Sequence, residues 1–367
     1  MKIFLLPLFL VFLLDIVGAQ NCNEAALLQK PGIWKESSGG GTGITAADMV
    51  KEKKVVAAIH SMIKSRYTPK GVIARFNGSY NRLEPDMMLN TFYYSIIPLN
   101  YYCDGNVMKT ADETSTDFQI SANTFEVDIY DSAQGDRALA EGFNFMHDLP
   151  VEKDGYWYFK DRDVTLGFGL PGKRSMSLIT FAGKLPFGYV TKKEFLQKRK
   201  QSLWADMQKT TASLREDLKN IELAKGYTEK ELKNDPDKLK KYMQGYHTSK
   251  DKFEKLLANN EKNYKPALDK IESQLKMPSE ELNQTAIVKL DPKATLSTYV
   301  FTNDDDPFGE ILIKPNPVYF NKKLPRSLPQ FFWVAITWNP KEPTASKFRE
   351  DIMKAIDFTT LKNMLGK

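Results

Sequence analysis

The spacing of apolar residues changes twice along this 367-residue chain, and that change constrains the fold more than any motif does. From Val72 to about Phe181 the signals are those of strands, and they return after Val288. Between them, from Thr191 to Lys276, apolar residues recur at steps of three, four or seven in a background of charge. Period two means a half-buried strand, and steps of three and four mean one face of a helix. The chain therefore reads as α+β: an antiparallel β-sheet domain with N- and C-terminal helices and an inserted antiparallel helical hairpin.

The strand-like segments carry the detail. Phe125, Val127 and Ile129 alternate with Glu126, Asp128 and Tyr130. Asp154-Gly155 opens the aromatic run Tyr156 to Phe159. Val164 to Leu170 and Met176 to Phe181 flank Pro171-Gly172-Lys173-Arg174, a turn by composition. Together these predict a meander of antiparallel strands with one polar face. Glu310 to Lys314 and Gln330 to Trp338 add strands from the C-terminal half, the latter apolar enough to be covered on both faces.

Helix signals bracket and interrupt the sheet. Thr45 and Asp48 predict a capping box for a helix from Ala46 to about Ile63, with Val50, Ile59 and Ile63 on its inner stripe and Val55, Val56 and Met62 nearby. Thr191 and Glu194 predict a second box, followed by a helix with Leu203, Met207, Leu214, Leu218 and Ile221 on one side. Gly226 is expected to break it and Thr228 to cap it again. A partner helix places Phe253, Leu257, Tyr264, Leu268, Ile271 and Leu275 together, with a kink or break at Pro266. A last helix starts near Thr344 and buries Phe348, Ile352, Ala355 and Ile356. The expected organisation is a signal peptide over 1–19, a linker over 20–44, a first part of the α+β domain over 45–190, the arm over 191–277 and the second part of the domain over 278–367.

The first nineteen residues set the compartment. Lys2, the apolar run Ile3 to Leu14 and the small residues Val17-Gly18-Ala19 form a secretory signal peptide cleaved after Ala19. The expectation is an exported protein, in the periplasm, at the cell surface or secreted. The competing lipoprotein reading uses Cys22, but Ala19-Gln20-Asn21 lacks the small apolar set that lipid attachment needs. No later stretch has the length of a membrane span. In an exported chain, Cys22 and Cys103 are disulfide candidates, with two unpaired thiols as the alternative. They do not make a four-thiolate zinc site, nor do His60, His147 and His247 rescue one.

Charge is unevenly placed. The net charge is +6, yet Lys192 to Lys276 holds 21 Lys/Arg against 14 Asp/Glu. Lys192, Lys193, Lys198, Arg199 and Lys200 form a basic surface candidate for anionic lipid or polyanionic glycan, set against an ordinary solvated helix face. Nucleic acid is disfavoured by export.

Other candidates stand beside plainer readings. Gly39-Gly40-Gly41-Thr42-Gly43 precedes a helix N-terminus but lacks the Gly-Lys-Ser/Thr of a phosphate loop, so it reads as a flexible tether. Ser61-Met62-Ile63-Lys64 fits Ser-x-x-Lys, as does Ser249 to Lys252, without the Lys-Thr-Gly that the serine enzymes require. Asp304, Asp306 and Glu310 offer oxygen ligands for Ca²⁺, or simply an acidic turn. Tyr93, Tyr94, Tyr101, Tyr102, Tyr156, Trp157 and Tyr158 line either a ligand groove or ordinary core and sheet surface. No cofactor is expected.

Two segments carry a resemblance. Gly183-Lys184-Leu185-Pro186-Phe187-Gly188-Tyr189-Val190-Thr191-Lys192-Lys193-Glu194-Phe195 and Lys314-Pro315-Asn316-Pro317-Val318-Tyr319-Phe320-Asn321-Lys322-Lys323-Leu324-Pro325 resemble stretches of a family of uncharacterised exported proteins of Bacteroidota. The resemblance implies a bacterial periplasm or surface and brings no activity or site residue. The functional expectation is a non-enzymatic binding or scaffolding protein of the bacterial envelope, its partner an envelope protein, a glycan or an anionic surface. The alternative is a hydrolase of an envelope or extracellular polymer, with a site assembled from distant carboxylates. A third reading is carriage of a small ligand inside the sheet.

Overall fold

The structure is a computed structural model that describes residues 22–37, 39–41, 43–84, 88–124, 143–181, 183–291 and 299–367. The expected signal peptide and the expected strand at Phe125 to Tyr130 lie outside the described residues. In chain order the N-terminal elements are α1 (Glu24–Gln29), β1 (Ile33–Ser37), α2 (Ala46–Lys64), β2 (Val72–Glu84), β3 (Leu89–Asp104), β4 (Val107–Thr110) and β5 (Asp117–Ala122). There follow β6 (Asn144–Met146), β7 (Val151–Lys153), β8 (Tyr156–Tyr158), β9 (Arg162–Thr165), β10 (Pro171–Ile179) and β11 (Phe187–Tyr189). Then come α3 (Lys192–Glu231), α4 (Pro236–Gln274), α5 (Ser279–Leu282), β12 (Ile287–Leu290), β13 (Tyr299–Phe301), β14 (Glu310–Pro315), β15 (Phe332–Trp338), α6 (Pro343–Ala355) and α7 (Phe358–Met364). The fold is α+β as the patterning predicts, with sheets dominated by antiparallel pairing and a long helical pair.

The chain divides into two compact units. Among the described residues, the first draws on those of 22–124, 160–179 and 324–367, and the second on those of 143–159 and 180–323. The expected 20–44 linker instead holds α1 and β1. The expected turn at Pro171 to Arg174 is the start of β10, and the reversal before it runs through a short 3₁₀ turn at Gly167–Gly169.

The first unit is built on the strand order β1-β2-β3-β5-β15-β10, with β4 on β3 and β9 on β10. Strand β15 comes from the C-terminal half and pairs β5 on one side and β10 on the other, so the sheet draws on both halves of the chain. Register explains its two faces, because paired residues share a side. Ile96, Phe118 and Ile336 lie in one row and Tyr94, Ile120 and Val334 in the next, all buried. On this face α2 brings Val56, Ile59 and Ile63, and α6 brings Phe348 and Ile352. Burying each such side chain stabilises by roughly 1.5–3 kcal/mol. The opposite rows are polar: Ser95 with Gln119, Tyr93 with Ser121, and Asp117 with Thr337 and Arg174.

Cys22 and Cys103 are bonded across a sequence separation of 81 residues. The bridge ties the start of α1 to the end of β3, and closing a loop of that size is worth about 4–5 kcal/mol in the chain-entropy account. The described part of the glycine segment is no tether. Gly41 pairs with Tyr80 in parallel, and a Cβ on Gly39 would sit 1.1 Å from the Gly78 carbonyl oxygen, so only glycine permits this approach.

In the second unit β14 is the central strand. It pairs β6 along one edge and β12 and β11 along the other, and β13 extends the sheet beyond β12. Phe145, Val190, Phe195, Ala286, Val288, Tyr299 and Leu312 form its core.

Candidate functional site

The arm is α3 and α4, helices of 40 and 39 residues. Its root is fixed before it projects. Thr191 Oγ1 accepts from the Glu194 backbone N–H and the Glu194 carboxylate accepts from the Thr191 N–H, the expected capping box. One turn in, Phe195 joins the sheet core, while Leu196 and Leu203 pack with Ile271 and Leu282. Helix α3 runs through Gly226 and Thr228 without the expected break, and Asp235 with Pro236 at the first turn starts α4 instead. Pro266 lies within α4 rather than at its end.

Polar contacts set the register of the hairpin. Asn260 is buried, and its Nδ2 donates to the Met207 carbonyl at 3.0 Å and to Thr211 Oγ1 at 2.9 Å. Farther out, Glu222 accepts from Tyr246 Oη at 2.5 Å and from Lys250 Nζ at 2.7 Å, while Lys225 lies over the Tyr246 ring. These groups meet only when the helices are aligned this way, so they specify one pairing, as a lone buried asparagine does in a coiled coil.

The five basic candidates share this root but not one role. Lys192 donates to Gln284 at 2.9 Å and lies over the Phe301 ring, so it holds the arm to the sheet. Lys200 pairs with Glu272 on α4 at 2.9 Å, and Arg199 is partly buried. Lys193 and Lys198 are exposed and have no ion pair among the described residues. On the same helix stands a residue that charge patterning passed over: Trp204, 54% exposed. Lys193, Gln197, Lys200 and Trp204 follow at steps of four, three and four and so line one stripe of α3. The signal available in the sequence was an indole out of phase with Leu203 and Met207.

The segments 183–195 and 314–325, singled out in the sequence, converge at this root. Phe187 pairs with Pro315 and Gly188 with Lys314, and Lys314 bonds Glu194. Asn316 donates its backbone N–H to the Pro186 carbonyl and its side-chain amide to that of Leu185. Stretches far apart in sequence thus form one piece of structure.

In the first unit two titratable groups are buried under α2. Glu52 is fully buried, and its carboxylate accepts one hydrogen bond, from Asn90 Nδ2 at 2.7 Å. Its second oxygen has no hydrogen-bond partner among the described residues. Burial, helped by the Asp48 charge, pushes its pKa up to about 7 against the pull of Asn90 and Arg326. Asp48 does not complete the expected capping box. Thr45 Oγ1 accepts from the Asp48 N–H, but the Asp48 carboxylate turns to Arg326 at 3.3 Å. His60 stacks on Phe76, with Nδ1 3.3 Å from Tyr94 Oη and Nε2 3.5 Å from Glu36. Burial and then Lys64 push its pKa down against Glu36.

The remaining candidates are dispersed. The Asp306 carboxylate is held to about 2, chiefly by the bond from Lys289 and then by Thr302 and the Phe308 N–H. Glu310 is buried and pairs with His147 at 3.0 Å, while Asp304 is exposed. No group of three or more His, Cys, Asp or Glu suited to a metal occurs among the described residues; of the Ca²⁺ candidates, Asp306 is held by Lys289 and Glu310 by His147, while Asp304 stands apart from them. Lys64 of the Ser-x-x-Lys pattern binds Glu36, and Lys250 of its second copy belongs to the arm. Tyr94 is core, whereas Tyr102 and Tyr158 are exposed and Tyr93, Tyr101, Tyr156 and Trp157 half-buried. No helix among the described residues is long and apolar enough to cross a membrane. Comparison with protein-family models, with curated proteins and with solved structures finds no match.

Proposed function

We propose that this chain is an exported, non-enzymatic binding or scaffolding protein of the bacterial envelope, whose arm root contacts an anionic partner. The observation that carries the reading is Trp204, a large aromatic exposed on the same helical stripe as Lys193 and Lys200, with Lys198 uncommitted on a neighbouring face of the same helix. An exposed indole among cations suits a surface that is both anionic and partly apolar. Export is supported by the signal-like N-terminus and by the Cys22–Cys103 bridge, which belongs in an oxidising compartment. The bacterial envelope is supported by the resemblance of the two root segments.

The test is a cross-linking pulldown from envelope fractions with the intact chain and with a Lys193→Glu/Lys198→Glu/Trp204→Ala variant. The expected result is loss of partners recovered by the intact chain, with circular dichroism unchanged. An identical partner profile for both proteins defeats the proposal.

A further inference from the structure

Toward its tip the arm carries a ridge that its own packing does not use. Lys225 of α3 reaches the Tyr246 ring on α4. Leu223 and Tyr227, placed two residues before and after it, project about half a turn away. They are 53% and 73% exposed. Being four residues apart on one helix, they are neighbours on its surface. The same step of four runs back to Lys219 and Arg215 and on to Glu231, all exposed. Among the described residues Arg215 and Glu231 have no ion pair, and Lys219 has one at 3.9 Å, to Glu216.

From the root outward the ridge is cationic, then apolar, then anionic: Arg215, Lys219, Leu223, Tyr227, Glu231. That order is complementary to its own reverse. A copy laid antiparallel about a twofold axis sets Lys219 against Glu231 and Leu223 against Tyr227, each contact made twice. Packing of such step-of-four ridges on one another is the commonest class of helix crossing, at about −50°. Gly226, one turn from Leu223, fits the same contact. A Cβ there would meet nothing within 4 Å, so no neighbour in the described chain requires a glycine that weakens the helix interior. Beside the ridge it leaves room for the side chains of a second helix.

We propose that α3 pairs through this ridge with α3 of a second copy of the chain, giving a symmetric dimer joined arm to arm. Charge selects the occupant, because the basic end of the ridge is matched by the acidic end of another like it. A self-complementary face makes an isologous contact that closes at two copies, the commonest symmetry of soluble oligomers. The centre of the ridge lies about 30 Å along α3 from Trp204. The contact is therefore separate from the arm root and does not depend on the partner proposed for it.

Sedimentation velocity on the intact chain tests this, with exchanges of exposed charges. The intact chain is expected to form a dimer and nothing larger as concentration rises. Lys219→Glu and Glu231→Lys each set like charges together at both copies of that contact, and each is expected to weaken the dimer about tenfold. The double variant Lys219→Glu/Glu231→Lys restores the match and is expected to dimerise like the intact chain. The two single variants, mixed, are expected to form a one-to-one pair more strongly than either forms with itself. Leu223→Asp/Tyr227→Asp is expected to stay monomeric with circular dichroism unchanged. A double variant as weak as the single ones, or a dimer indifferent to the exchanges, would overturn the proposal. So would a monomeric intact chain, whether or not some other protein binds the ridge.

Discussion

Glu52 shows what apolar spacing leaves out. The stripe expected for α2 included Val50, which is exposed, while Glu52 lies inside at one turn before Val56. Periodicity weighs residue type, and a carboxyl is not scored as a core group. What admits it is the Asn90 amide on β3, a long-range contact that no local pattern announces. The consequence is a stability that depends on pH. The folded pKa of about 7 lies above the ordinary 4.5, so the contribution of protonated Glu52 is complete below pH 4.5 and is lost as pH rises through 7. Glu52→Gln removes the charge and is expected to stabilise the first unit by about 2–3 kcal/mol at pH 8, with the difference vanishing at pH 4. Urea denaturation at the two pH values checks this, and an equal effect at both would contradict it. His60 acts in the opposite sense. Its folded pKa lies below the ordinary 6.5, so its contribution is present above that value and declines on acidification.

At the scale of elements, caps and stripes were legible where local chemistry decides the outcome. The Thr191–Glu194 box and the start of α6 fall where spacing puts them. The tip of the arm does not. A glycine in a helix costs about 1 kcal/mol. Gly226 lies where the two helices still pair, and the bonds of Tyr246 and Lys250 to Glu222 hold the outer turns together. The chain reverses only where Asp235 and Pro236 form a start signal that serves the second helix. The buried Asn260 was equally silent in the sequence, since asparagine on a charged helix reads as surface. Its removal in Asn260→Ala breaks two hydrogen bonds to α3 and is expected to cost about 1–3 kcal/mol in the second unit. Chemical denaturation followed at a probe on the arm measures this, and an unchanged midpoint would show that the register is set elsewhere.

For the whole molecule, the α+β class and the inserted hairpin were readable because the change of period is long and sustained. The division into units was not. Strands β6, β11, β12, β13 and β14 are short pieces from distant parts of the chain, and β6 and β11 pair with a strand more than a hundred residues away. Nothing local distinguishes them from strands of the larger sheet. The Cys22–Cys103 pairing was favoured by compartment, and the structure adds that it clamps α1 to β3. The candidate site was half legible: the basic cluster was found by counting charge, but only packing separates the anchoring Lys192 from the free Lys193 and Lys198 and exposes Trp204.

The central claim is that the arm root is where this protein meets its partner. The most direct measurement places a photo-cross-linking amino acid at position 204 of the full chain in its native cell, with the same probe at Tyr102, an exposed aromatic of the first unit, as reference. A discrete adduct is expected at position 204 and none at position 102, with the adduct weakened by high salt. Equal labelling at the two positions, or none at position 204, would contradict the account.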